Sequence, residues 1–229
     1  MDKDGKSIYM QRIIVLTYNV PHIKTYDVLC RLKVCGYNNV QVLAKPFHYV
    51  KKFQPIYAHR PEGNGISTKQ ICEQFGYDYC EYSEKFPEIS AGTKILVCGA
   101  GIIPQEIVKQ NIIINAHPGY VPNVRGLDAL KWAIIENEPI GVTTHVIGDE
   151  IDAGLIIERR EISINKSDTF HLLARRVYEA EIAMLVEAIE KVDTATIYVS
   201  GEGYIVHKRM PQNIEHQLLE SFERRKNSI

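Results

Sequence analysis

Apolar residues gather in short runs separated by polar stretches, and the spacing within each run differs along the chain. "RIIVLTYN" (12–19) and "NVQVLAKP" (39–46) are strand-length and rich in β-branched residues. "IKTYDVLCRLKVCG" (23–36) between them has helical spacing, with Gly36 placed to end it. Such alternation predicts βαβ units and a parallel sheet covered by helices. A helix over 68–75 and a weak strand over 77–81 follow. "TKILVCGAG" (93–101) and "NIIINAH" (111–117) read as two more buried strands, joined by a short helix in "IPQEIVKQ" with Pro104 near its start.

"LDALKWAIIEN" (127–137) is predicted as a helix, and "IGVTTHVIG" (140–148) and "GLIIERREISI" (154–164) as strands. The clearest helix covers 167–192, capped by Ser167 or Asp168, with Phe170, Leu173, Val177, Leu185 and Ile189 on one face. "ATIYVSGEGYIVHKRM" (195–210) suggests a β-hairpin, and the chain from Pro211 a short amphipathic helix. The stretch 47–65 has no period and reads as a long loop of the kind that often carries function. The expected class is α/β, a Rossmann-like, mostly parallel sheet with helices on both faces. A main domain over 1–192 would be followed by a small hairpin and helix appendage over 193–229.

The balance of 45% hydrophobic and 24% charged residues over 229 positions suits one sizeable core. A net charge of −1 leaves no basic excess for a nucleic-acid partner, while small anionic ligands stay open. The apolar run "IIVL" near the start is too short for a signal core and no stretch would span a membrane, so a cytoplasmic protein is expected. Five cysteines without a CxxC pair read as reduced thiols.

Two segments bear chemistry. Asn115 and His117 stand two apart at the end of a predicted strand, so both side chains leave on one face at the sheet edge where α/β proteins bind ligands. By themselves they read as a strand-ending turn. "HVIGDEIDAG" (145–154) then brings acidic residues after another strand. His117, His145, Asp149 and Asp152 lack any metal-ligand spacing, so no metal is expected. "GAG" (99–101) is followed by a proline rather than a third glycine, which argues against dinucleotide binding.

The run "NAHPGYVPNVRGLDALKWAIIENEPIGVTTHVIGDEIDAGLII" (115–157) resembles the folate-dependent formyltransferase family, with the strong resemblance covering roughly 94–165. The resemblance implies a formyltransferase version of the Rossmann-like fold and a co-substrate, N10-formyltetrahydrofolate. It assigns the catalytic positions to Asn115, His117 and Asp152; Asp149 is the competing acid, but Asp152 directly precedes the Ala-Gly step. Asn115 would donate to the developing oxyanion, His117 would move protons, and Asp152 would orient His117. Cys98, Gly99, Ala100, Gly101, Ile102 and Ile103 would line the pterin pocket, with Val146, Ile147, Gly148 and Asp149 opposite.

The acceptor amine follows from departures within the family. "TYNVPHIK" (17–24) after the first strand has no glycine, unlike the phosphate-binding turn of the purine-pathway enzymes. About 65 residues follow Ile164, short of the β-barrel that methionyl-tRNA enzymes carry. "VPNVRGLDALKWAI" (121–134) is similar to sugar N-formyltransferases, so Gly119, Tyr120, Asn123, Arg125 and Asp128 are expected to meet a sugar nucleotide, Arg125 through a phosphate or ribose oxygen. Trp132 is expected in the core, and the aromatic, cationic loop 47–60 is a candidate to stack a base and neutralise a pyrophosphate. A dTDP-4-amino-4,6-dideoxyglucose type, used in surface polysaccharides, is the expected acceptor, and a homodimer the expected assembly. Phosphoribosylglycinamide formylation, formyltetrahydrofolate hydrolysis and a non-catalytic folate-binding role remain open.

Overall fold

The computed structural model describes residues 11–47, 54–61, 63, 65–148 and 151–229. Its contacts divide into two compact units. The first takes the described residues of 1–50, 62–115 and 185–193, and the second those of 51–61, 116–184 and 194–229.

In the first unit, β1 (Ile13–Tyr18), β2 (Val40–Lys45), β3 (Asp78–Glu81), β4 (Lys94–Val97) and β5 (Ile112–His117) pair in parallel in the order β3-β2-β1-β4-β5. The last two residues of β5 belong to the second unit. β1 is central, with Val15 between Val42 and Leu96. Ile13 to Leu16 are buried without alternation, which is why the sequence there is a continuous apolar run. α1 (Ile23–Val34) buries Val28, Leu29 and Leu32 and packs against α2 (Thr68–Phe75). A capping box starts α2: Ser67 Oγ accepts the Gln70 amide at 3.2 Å while Gln70 Oε1 accepts the Ser67 amide at 3.1 Å.

One expectation changes here. The strand predicted over 93–101 stops at Val97, because the Cys98 and Gly99 amides both turn onto the Leu16 carbonyl, at 3.0 and 3.1 Å. Two amides on one acceptor end the ladder, and Cys98–Ile103 becomes a loop before α3 (Gln105–Gln110).

In the second unit, β7 (Gly141–Val146), β8 (Gly154–Glu161) and β9 (Ile197–Val199) are antiparallel, with a register irregularity at Thr144/His145. β6 (Arg125–Gly126) pairs in parallel with β10 (Val206–His207). The segment expected as a hairpin folds back at Gly201–Tyr204, and its two arms take different partners, β9 joining β8 and β10 joining β6. α4 (Ala129–Ile135), α6 (Gln212–Glu215) and α7 (Leu218–Asn227) complete this unit, and α5 (Phe170–Lys191) runs through both. Leu130, Ile134, Val142, Phe170, Leu173, Val177, Leu218 and Phe222 form its apolar core.

The cap of α5 is Thr169, whose Oγ1 accepts the Leu172 amide at 3.3 Å. Ser167 and Asp168 were the expected caps, but Asp168 instead accepts the Asn165 amide at 2.7 Å and both Arg176 Nη atoms, at 2.5 and 2.7 Å. Trp132, expected in the core, packs against its edge and is half-buried; its ring stacks on His207 at 4.6 Å and its indole N–H donates to the Lys208 carbonyl.

A buried charge pair fastens three segments of the second unit. Lys131 of α4 and Glu215 of α6 are fully buried and paired, and Glu215 also accepts the Ile56 and Tyr57 amides at 3.0 and 3.1 Å. Removing one member strands a buried charge, which typically costs about 3–5 kcal/mol. Lys131→Met is therefore expected to lower the unfolding free energy in denaturant by that order, and Lys131→Met/Glu215→Gln by less than the sum of the two single losses.

Candidate active site

Asn115 and His117 both lie on β5, His117 at its carboxyl end and 4% exposed. The imidazole of His117 is held on two sides. Its Nε2 lies 3.1 Å from the Val124 carbonyl, and because a carbonyl only accepts, Nε2 carries the hydrogen. Its Nδ1 faces Asp152 Oδ2 at 3.5 Å. Nδ1 is therefore the ring nitrogen turned toward the carboxylate.

Asp152 sits at the turn before β8 with φ of 44°, in the left-handed region that disfavours residues other than glycine. Its Oδ2 accepts the Gly126 amide at 2.9 Å, and its Oδ1 lies 3.7 Å from Nε2 of His145. The one carboxylate thus stands between two imidazoles. His145, on β7, is 2% exposed, and burial pushes it down to about 4 against the opposing pull of Asp152. It was weighed from sequence only as a metal ligand. The signal for it was the one that singled out His117, a histidine at the carboxyl end of a buried strand. Among the described residues, no group of three or more His, Cys, Asp or Glu could hold a metal ion.

The loop after β5 is fastened to β7 and β8. Thr143 Oγ1 donates to the Gly119 carbonyl at 2.8 Å and accepts the Val121 amide at 3.1 Å. Arg159 Nη1 donates to the Val121 carbonyl at 3.2 Å, and the Val124 amide closes a turn onto Tyr120 O at 3.1 Å. These bonds aim the Val124 carbonyl at His117. Gly119 lies against the imidazole so closely that a Cβ would stand 2.5 Å from Nε2.

Several residues expected to meet substrate are instead engaged within the protein. Asn123 Nδ2 donates to Glu138 at 2.8 Å. Asp128 is buried, accepts the Met210 amide at 2.9 Å and lies 3.9 Å from His59 Nε2. Arg125 is 4% exposed; its Nε and Nη2 donate to the Ile151 carbonyl and its Nη1 to the Gly201 carbonyl, so its charge faces backbone oxygens and not a phosphate. Tyr120 is half-buried beside the Arg159 guanidinium.

The loop expected to bind a nucleotide is also partly committed. Arg60 reaches the buried Glu181 at 2.6 and 3.3 Å, so it is not a spare cation for a pyrophosphate. Residues 48–53 of that loop lie outside the described residues, as does Asp149. Of the expected pterin-lining residues in the first unit, Cys98 and Ala100 are buried, Gly99 and Ile103 are half-buried, Gly101 is exposed, and Ile102 is 92% exposed. In the second unit Val146 and Ile147 are half-buried and Gly148 is exposed.

A parallel sheet with a histidine at a strand end, facing a carboxylate from a following turn, defines an α/β protein with a polar pair at the edge where such sheets bind ligands. The chain belongs to the Formyl transferase family, whose profile matches residues 64–189. Methionyl-tRNA formyltransferase of Thermodesulfovibrio yellowstonii is 29% identical over 149 residues, which cover 58% of this chain and 48% of that protein. The trifunctional purine biosynthetic protein adenosine-3 of Gallus gallus is 29% identical over 162 residues, 65% of this chain and 16% of that protein. The chain thus spans about half or less of the length of these curated relatives. Among solved structures, a sugar N-formyltransferase from a Shewanella species shares the fold with a TM-score of 0.56 at 19% identity, covering 93% of this chain and 87% of that one. A phosphoribosylglycinamide formyltransferase from Anaplasma phagocytophilum does so with a TM-score of 0.54 at 19% identity, covering 86% and 97%.

Two outcomes follow from this geometry. Gly119→Ala forces either the imidazole or the Val124 carbonyl to move, so chemical-shift mapping of the His117 ring is expected to show displacement while the melting temperature changes little. Burial also pushes His59 down to about 4, with the Arg60 and Lys131 cations adding to it. His59 and His145 are therefore neutral in the folded protein where the unfolded chain, with an ordinary histidine value of about 6.5, binds protons. Protonation favours the unfolded state, so stability is expected to be level above about pH 6.5 and to fall as pH drops toward about 4. Thermal melts across that range check it, and His145→Gln should flatten part of the slope.

Proposed function

We propose that this protein transfers a formyl group from N10-formyltetrahydrofolate to the amine of a nucleotide-linked amino-deoxy sugar. The observation that carries the proposal is the pairing of His117 Nδ1 with Asp152 at the end of the strand that also bears Asn115. In this reading the amine lone pair attacks the formyl carbon, and the carbonyl electrons move to its oxygen. The Asn115 carboxamide donates to that oxyanion. His117 takes the proton shed by the new ammonium onto Nδ1, and Asp152 balances the imidazolium charge. Collapse re-forms the carbonyl and breaks the bond to N10, which receives the proton from His117. The neutral folate product leaves and the formamide stays on the acceptor.

In this reading the folate meets the Cys98–Ile103 loop, as the family resemblance implies. The sugar acceptor rests on the glycine-free "TYNVPHIK" and on the similarity of 121–134 to the sugar branch. The amine's position and the base are proposed as in dTDP-4-amino-4,6-dideoxyglucose.

Incubation with N10-formyltetrahydrofolate and, separately, a panel of amino sugar nucleotides, glycinamide ribonucleotide, initiator methionyl-tRNA and no acceptor tests the proposal. Deformylated folate is expected with an amino sugar nucleotide alone. Turnover with glycinamide ribonucleotide or the tRNA would reassign the acceptor, and turnover without acceptor would make the protein a hydrolase. His117→Asn is expected to lower kcat about 10²–10⁴-fold, and Asn115→Ala about 10²–10³-fold.

A further inference from the structure

We infer that Arg125 is a positioning residue that sets the place of Asp152 against His117, through the Ile151 carbonyl and through the amide of its neighbour Gly126. This rests on the formyl-transfer reading of the site. Asp152 adopts φ of 44°, a conformation it keeps only if its neighbours hold it there. The preceding residue does not anchor the turn by packing, since Ile151 is 62% exposed. The Ile151 carbonyl, however, receives two donors from one side chain, Nε of Arg125 at 2.8 Å and Nη2. The next amide along, that of Gly126, then donates to the Asp152 carboxylate at 2.9 Å.

Three consecutive residues therefore orient both partners. Val124 accepts from His117, Arg125 grips the peptide before Asp152, and Gly126 binds the carboxylate itself. The far end of the guanidinium is braced in turn by the Gly201 carbonyl at 2.7 Å, from the turn between β9 and β10. A Cβ on Gly201 would lie 1.9 Å from Nη1 and 2.2 Å from Cζ, so only glycine leaves the guanidinium in place. A lysine in place of Arg125 would carry the charge without the planar fork that puts two N–H groups on one oxygen.

The test uses Arg125→Lys, Arg125→Ala and Gly201→Ala in the full chain. Gly201→Ala crowds Nη1, Cζ and Nη2 of the guanidinium without altering Arg125 itself, and it covers the case in which an Arg125 variant fails to fold. Kinetics with the acceptor found above and with N10-formyltetrahydrofolate should show kcat lowered about 10–100-fold in Arg125→Lys and Gly201→Ala, with both KM values within about twofold, as for a misplaced catalytic pair. Added guanidinium ion should restore part of the kcat of Arg125→Ala. Independently of turnover, amide exchange by NMR should be faster at Gly126 in each variant. A raised KM for the sugar nucleotide with kcat kept would overturn the inference in favour of a substrate contact. Unchanged Gly126 exchange would overturn it whether or not any acceptor is formylated, and absent turnover in the parent protein with faster Gly126 exchange would fault the function alone.

Discussion

The bond from the Gly126 amide to the Asp152 carboxylate joins two loops that are 26 residues apart in sequence, and the arrangement of the site depends on it. On one side of this bond the chain runs back through Val124, whose carbonyl fixes the His117 ring. On the other side it turns into β8 with Asp152 in a left-handed conformation. A carboxylate gains more from an amide donor when it is shielded from water, and here it is only partly exposed between two buried histidines. The sidedness of the imidazole follows from the same contacts. With Nε2 donating to a carbonyl, Nδ1 is the nitrogen that faces Asp152.

Charge inside the second unit is matched by partners at each place it is buried. Lys131 meets Glu215, Arg60 meets Glu181, Arg176 meets Asp168, and Arg125 meets carbonyl oxygens. This matching explains why several polar residues that looked available in the sequence are occupied in the fold. The described part of the 47–60 loop is held by Glu215 of α6 and Glu181 of α5, so it braces those two helices and does not offer Arg60 to a ligand. The cost of desolvating each charge is offset by close donors and acceptors, and a single deletion would leave the partner stranded.

Membership in the Formyl transferase family establishes the class of the chain, while the reacting residues and the acceptor belong to the proposal. The residues that the sugar-branch resemblance implies for the acceptor all lie in one short stretch, 119–128. Of these, Asn123, Arg125 and Asp128 turn inward to Glu138, Ile151 and Gly201, and Met210. Gly119 is packed on His117. The stretch holds His117 and Asp152 in place through Val124, Arg125 and Gly126.

The sequence by itself determined β1, β2, β4 and β5 as members of a parallel sheet, because buried parallel strands need uninterrupted apolar runs and such runs are visible without coordinates, whereas the exposed edge strand β3 has none and reads only weakly. It also placed Asn115 and His117 at a strand end, since side-chain alternation depends only on local geometry. It could not show that β4 stops at Val97, that Thr169 and not Ser167 caps α5, or that β9 and β10 take separate partners, for each depends on which distant carbonyl or strand an amide meets. The role of Arg125 was hidden for the same reason. Whether a guanidinium faces a phosphate or two backbone carbonyls is decided by the chain that folds over it, and only the tertiary structure brings Ile151 and Gly201 to its two sides.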